Sequence, residues 1–118
     1  MQAAAPSGPP APGARLVCED SIEIQLTGFP RDFGRNDVLR LTQENGKISK
    51  NHLRFYYENG QFMVEDTDSL NGTKLNDEVI GGGRKGLGKR PLKDGDVIEL
   101  AIDEKKKGLV RLTFRTGS

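Results

Sequence analysis

Three short clusters between Gly34 and Asn76 hold the side chains with chemistry to offer: Gly34-Arg35, Ser49-Lys50-Asn51-His52 and Ser69 through Asn76. The guanidinium of Arg35 is a rigid fork of donors that matches phosphate oxygens two at a time. The Ser49 hydroxyl can donate to the same kind of oxyanion. Lys50, and Lys47 two residues before Ser49, add positive charge without the orienting power of a fork. Asn71 carries an amide that both donates and accepts, as a grip on a passing peptide backbone requires. Gly72 supplies a backbone angle closed to other residues, and Thr73 and Asn76 read as internal pins of their loop. His52 is the only histidine and Cys18 the only thiol, too few ligands for a typical zinc site. A hydrolase built on Ser49 and His52 would need a nucleophile elbow or an oriented base, and no G-x-S-x-G accompanies them.

Taken in order, G-R, S-x-x-H and N-G-T-x-x-N resemble the forkhead-associated (FHA) domain over residues 16–115. The resemblance implies an all-β fold, an antiparallel β-sandwich of about eleven short strands with its peptide site on one set of end loops. It implies a non-catalytic module that recognises phosphothreonine in partner proteins or peptides, phosphorylation-dependent self-association included. By the same resemblance Arg35, Ser49, Lys50 and Lys47 meet the phosphate and Asn71 grips the peptide beside it. Leu70 stands where many relatives carry a polar or basic residue, so only its backbone is left to contribute. Gly34, His52, Gly72, Thr73 and Asn76 support the site, His52 by tying loops together through hydrogen bonds. Phe33-Gly34-Arg35 and the Gly- and Lys-rich stretch before Arg90-Pro91-Leu92 look most like FHA domains of DNA-damage checkpoint kinases. That points to DNA-damage or cell-cycle signalling in nucleus or cytoplasm. No V-A-I-K or H-R-D kinase motif is present. The resemblance calls for no cofactor and no metal.

The elements that must position these clusters read as short strands. Ile22, Ile24 and Leu26 alternate with polar residues, as do Leu53, Phe55 and Tyr57, then Ile98, Leu100 and Ile102, then Val110, Leu112 and Phe114. Val38, Leu39 and Leu41 read as a further short strand. Asn59-Gly60 and Asn76-Asp77 are hairpin turns, Asp94-Gly95 a turn, and Asp103 to Gly108 a charged hairpin tip. Gly81 to Gly88, with five glycines in eight residues, reads as a mobile insertion. No sustained helical repeat occurs, and many short strands between turn signals indicate an antiparallel sandwich or barrel.

The 118 residues suffice for one domain with one core. Residues 1–14 lack charged side chains and hold four of the six prolines. Such a segment buries too little apolar surface to offset its ordering entropy, so it reads as a disordered leader ahead of a domain at 15–118. A net charge of +1 excludes a whole-protein field for nucleic acid or membrane, and no apolar run reaches membrane-spanning length. One local exception is the basic stretch Arg84, Lys85, Lys89, Arg90 and Lys93. It supports an alternative reading as a nucleic-acid-binding β domain, against which the aromatics form no evident stacking platform.

Overall fold

Period-two alternation produces strands wherever one sheet face is buried, and the computed structural model has eleven of them among its described residues. Those residues are 13–18, 22–39, 41, 43, 45–67, 69–83, 85–86, 88–103 and 107–116. The strands are β1 (Ala14–Cys18), β2 (Glu23–Leu26), β3 (Arg31–Phe33), β4 (Leu53–Glu58), β5 (Gln61–Asp66), β6 (Thr73–Leu75), β7 (Glu78–Gly82), β8 (Lys85–Gly86), β9 (Arg90–Leu92), β10 (Val97–Ile102) and β11 (Gly108–Thr116). All pairings are antiparallel. One sheet runs β2-β1-β11-β10-β6-β7-β8 and the other β3-β4-β5-β9. The fold is a β-sandwich, as expected. Residues 1–12 of the expected leader and Arg84 of the basic stretch lie outside the described residues.

Between the sheets lies one core. Leu16, Phe33, Phe55, Leu53, Val64, Ile98, Leu100, Leu112 and Phe114 are buried, with Phe33 edge-on to Phe55 and Phe62 edge-on to Phe114. Offset and edge contacts of this kind are the favoured arrangement of aromatic rings. The hairpin dipeptides sit where expected. Asn59 and Gly60 have φ 52° and 75°, and Asn76 and Asp77 have φ 50° and 73°, the double positive φ of the turn whose twist suits a two-residue hairpin.

Register places the loops at two poles. In β10, Val97 faces Thr113 and Ile102 faces Gly108; in β6, Thr73 faces Leu100 and Leu75 faces Ile98. The end of β10 and the start of β6 therefore share one pole. In the other sheet Leu53 faces both Phe33 and Asp66, so the loops after β3, before β4 and after β5 meet at one end. Bonds between the loops join that end to the pole of the first sheet. Ala14 faces Thr116 at the opposite pole.

Two expected features are corrected. Val38, Leu39 and Leu41 do not form a strand: Arg35–Val38 is a 3₁₀ turn. The Asp37 carboxylate accepts the Gly34 N–H at 2.9 Å while the Asp37 N–H donates to the Gly34 carbonyl at 2.9 Å. That local pairing uses the groups a strand would give to its neighbour. The glycine-rich stretch is not a loose insertion throughout either. Gly81 and Gly82 extend β7 and pair with Gly86 and Lys85 of β8. Gly81 packs on the Asp66 side chain, where an added Cβ would lie 2.4 Å from Asp66 Cβ.

Candidate phosphopeptide site

Gly34 opens the site because nothing larger fits. A Cβ there would stand 1.9 Å from the Lys50 carbonyl oxygen, so the loop after β3 lies directly on the loop before β4. The Arg35 N–H then donates to the Ser49 carbonyl at 3.1 Å and its Nε to the Ile48 carbonyl at 3.0 Å. Ile48 is fully buried and anchors that carbonyl. One of the five guanidinium N–H groups thus fixes the plane, and the four on the Nη atoms, which have no hydrogen-bond acceptor among the described residues, form a fork for a ligand.

Ser49 and His52 form the next layer. The Ser49 N–H donates to His52 Nδ1 at 3.1 Å, and His52 Nε2 lies 3.0 Å from the Gly72 carbonyl. An Nδ1 that accepts is unprotonated, so the proton resides on Nε2, which donates to Gly72. The ring is neutral and ties the second cluster to the third. Burial lowers the His52 pKa, opposed by the Gly72 hydrogen bond and the nearby Asp66 charge. The Ser49 hydroxyl oxygen accepts the Leu70 N–H at 3.1 Å, which leaves the hydroxyl proton to donate outward.

Asn71 is held from two sides. Its Nδ2 donates to the Lys47 carbonyl at 2.7 Å, and its own carbonyl accepts the Ile102 N–H at 2.7 Å. Gly72, at φ +95°, turns its carbonyl to His52 and also to the Ala101 N–H at 2.9 Å. Together these contacts surround a recess of about 350 Å³, in the size range of small-ligand sites. Arg35, Lys47, Ser49, Lys50, Leu70 and Asn71 all line it, with Gly46 and Asn51. The structure thus brings together all six residues expected to meet a ligand. Among the described residues this lining carries three cations, Arg35, Lys47 and Lys50. Beyond Asn71 lies a second recess of about 500 Å³, between Lys47, the end of β10 with Asp103 after it, and the start of β11 with Lys107 before it.

The supporting residues divide. Gly34, His52, Gly72 and Thr73 all brace this pole. Asn76 does not reach it: it lies at the opposite end of β6, where its Oδ1 accepts the Val97 N–H at 2.9 Å and its Nδ2 donates to Asp96 at 3.0 Å. One residue went unread in the sequence. Asp66, 1% exposed, accepts the Ser69 N–H at 3.1 Å, the Thr73 hydroxyl at 2.7 Å and the Ser69 hydroxyl. It fixes both ends of the loop that presents Leu70 and Asn71. A signal existed: Phe62, Val64 and Asp66 share the buried parity of β5, and a carboxylate there requires donors.

The FHA-domain family profile matches residues 31–101, more than half of the 118 residues. The chain belongs to the FHA domain family. It is 28% identical over 108 residues to the glycogen accumulation regulator GarA of Mycobacterium tuberculosis, covering 92% of this chain and 53% of that protein. It is 22% identical over 85 residues to the probable E3 ubiquitin-protein ligase dma1 of Schizosaccharomyces pombe, covering 72% of this chain and 32% of that protein. The chain therefore spans about a third to a half of these curated relatives. Among solved structures it resembles the N-terminal FHA domain of S. cerevisiae Rad53p bound to a phosphothreonine peptide, at TM-score 0.64 and 21% identity, over 89% of this chain and 94% of that one. No helix among the described residues is long and apolar enough to cross a membrane.

Proposed function

We propose that this chain is a non-catalytic recognition module that binds phosphothreonine-containing proteins or peptides. One observation carries the reading: the Arg35 fork, the Ser49 hydroxyl and the Lys47 and Lys50 charges line one recess, with Asn71 at its edge. A phosphate brings about −1.5 to −2 charges and three acceptor oxygens, and these residues supply the matching donors. The phosphothreonine peptide on the similar Rad53p domain supports the ligand class. In this reading Arg35, Ser49, Lys50 and Lys47 hold the phosphate, Asn71 and the Leu70 backbone hold the peptide, and His52 acts through loop geometry. The DNA-damage or cell-cycle setting, in nucleus or cytoplasm, rests on the Phe33-Gly34-Arg35 start and Arg90-Pro91-Leu92. Relatives named as a glycogen regulator and a ubiquitin ligase share the domain in other settings.

The nucleic-acid reading is weaker, because two cations of the basic stretch are already engaged. Lys89 pairs with Glu58 at 3.0 Å and lies 4.0 Å from the centroid of the Tyr56 ring, and Arg90 lies 3.7 Å from Glu78. An oriented phosphothreonine-peptide library, screened beside its unphosphorylated counterpart, tests the proposal. Enrichment confined to the phosphorylated pool is expected. Equal retention of both pools by the folded protein, or retention of neither, would sink it.

A further inference from the structure

Strand β10 breaks its own rule near the site. Ile98 and Leu100 are buried at alternate positions, yet Ala101 is buried too, and its φ is +61°. A non-glycine residue with positive φ inside a strand is an outlier that only its surroundings sustain. The surroundings are specific. In a regular antiparallel strand, successive N–H groups point to opposite neighbours. Here the Ala101 N–H reaches the Gly72 carbonyl at 2.9 Å and the Ile102 N–H reaches the Asn71 carbonyl at 2.7 Å. Two consecutive donors aimed at the same loop require the chain to reverse a peptide plane between them, and the left-handed Ala101 does this. The pairing with β11 meanwhile resumes at Ile102 opposite Gly108.

What the reversal holds is Asn71. Its side chain is tied to the Lys47 carbonyl and its main chain to Ile102, and with Lys47 it forms the wall shared by the two recesses. Ala101 and Ile102 line the second recess themselves. We infer that Ala101 is a positioning residue for peptide recognition: its left-handed backbone clamps the Asn71–Gly72 carbonyls and so sets where the Asn71 amide stands between the recesses. This rests on the reading that Asn71 grips the peptide. The clamp's own bonds end on the Asn71 and Gly72 carbonyls and on no atom of Arg35, Ser49 or Lys50, so its main effect falls on peptide rather than on phosphate capture. Alanine suits the position because glycine would loosen it, whereas a β-branched residue is strongly disfavoured at such an angle.

Titrations of the wild-type chain, Ala101→Val and Ala101→Gly with a degenerate phosphothreonine peptide pool and with free O-phosphothreonine test this. Val is expected to lower affinity for the pool at least tenfold while changing capture of free phosphothreonine less than threefold; Gly, which adopts the same angle, is expected to restore at least a third of the affinity for the pool. A folded Ala101→Val chain with undiminished affinity for the pool would overturn the inference, as would equal loss of both probes. An independent measurement needs no variant. By reciprocity of coupled equilibria, saturating peptide must slow hydrogen exchange of the Ile102 amide by the factor that the clamp adds to affinity, here tenfold or more. Unchanged exchange at saturation would refute the clamp even where Ala101→Val fails to fold. Wild-type protein that captures neither probe would instead remove the phosphothreonine reading itself, and the clamp's role with it.

Discussion

Replacing His52 by alanine separates support of the site from membership in it. The ring is fully buried and bonds two groups with different fates. The Gly72 carbonyl keeps the Ala101 N–H as a partner, so it loses one net hydrogen bond, about 1 kcal/mol. The Ser49 N–H loses its acceptor altogether, an orphaned donor costing about 1–3 kcal/mol. The sum is about 2–4 kcal/mol before any cavity cost, a large part of the 5–15 kcal/mol typical of a domain. At about 4 °C per kcal/mol for a chain of this size, the melting temperature should fall by roughly 8–16 °C. The pH dependence supplies a second test. Burial holds the His52 pKa below its ordinary 6.5, so the unfolded chain binds the proton more readily than the folded one. The contribution of neutral His52 is therefore fully present above about pH 6.5 and is lost as pH falls below it. Wild-type melting followed calorimetrically from pH 7.5 to 5 should decline, whereas His52→Ala, which leaves no histidine in the chain, should lack that component. A variant with wild-type melting but no phosphopeptide binding would refute the reasoning and move His52 into direct contact.

Three further substitutions follow from the same geometry. Arg35→Ala removes a charge-assisted fork worth about 1.5–3 kcal/mol per bond; two bonds predict a loss of two to four orders of magnitude in phosphopeptide affinity, with only the Nε–Ile48 bond lost from stability, and calorimetric titration beside thermal melting reads both. Asn71→Ala should weaken whole-peptide binding roughly tenfold or more while barely touching free phosphothreonine, once amide spectra confirm that the loop is intact; equal losses would place Asn71 in the phosphate subsite. Gly34→Ala should destabilise by about 3 kcal/mol, the upper end of overpacking costs, since its Cβ meets a backbone carbonyl rather than a movable side chain; an unchanged denaturation midpoint would show that the two loops are not in contact.

The recess residues were legible through the resemblance of G-R, S-x-x-H and N-G-T-x-x-N, taken together and in order, to the FHA family; by type alone an arginine, a serine and an asparagine at strand ends read equally well as solvated turn residues. The strands were legible where alternation was undisturbed, as in Ile98-Leu100 and Val110-Leu112-Phe114. Legibility failed where a single local bond overrode the pattern. Asp37 caps a 3₁₀ turn and cancels the strand that Val38 and Leu39 suggested; Leu39 is left 52% exposed. Asp66 looks like a loop acid until the parity of β5 points it inward. Ala101 carries no mark at all, since alanine is compatible with any element and its angle is imposed by carbonyls thirty residues earlier. Asn76 belongs by spacing to the third cluster, yet three strand residues carry it to the far pole.

Ala14 and Thr116 face each other at the end of the β1–β11 ladder, at the pole opposite the recess. That placement has a mechanical consequence. Tension applied between those two residues acts across the ladder, not along it, and the hydrogen bonds of an antiparallel pair run perpendicular to the strands. The load therefore falls on one bonded pair at a time, Ala14 with Thr116 first and Cys18 with Leu112 last. The strands peel like a zip at low force instead of shearing together. Peeling starts at the pole remote from Arg35 and Asn71, so the first bonds of the β1–β11 ladder open while the recognition loops are still in place.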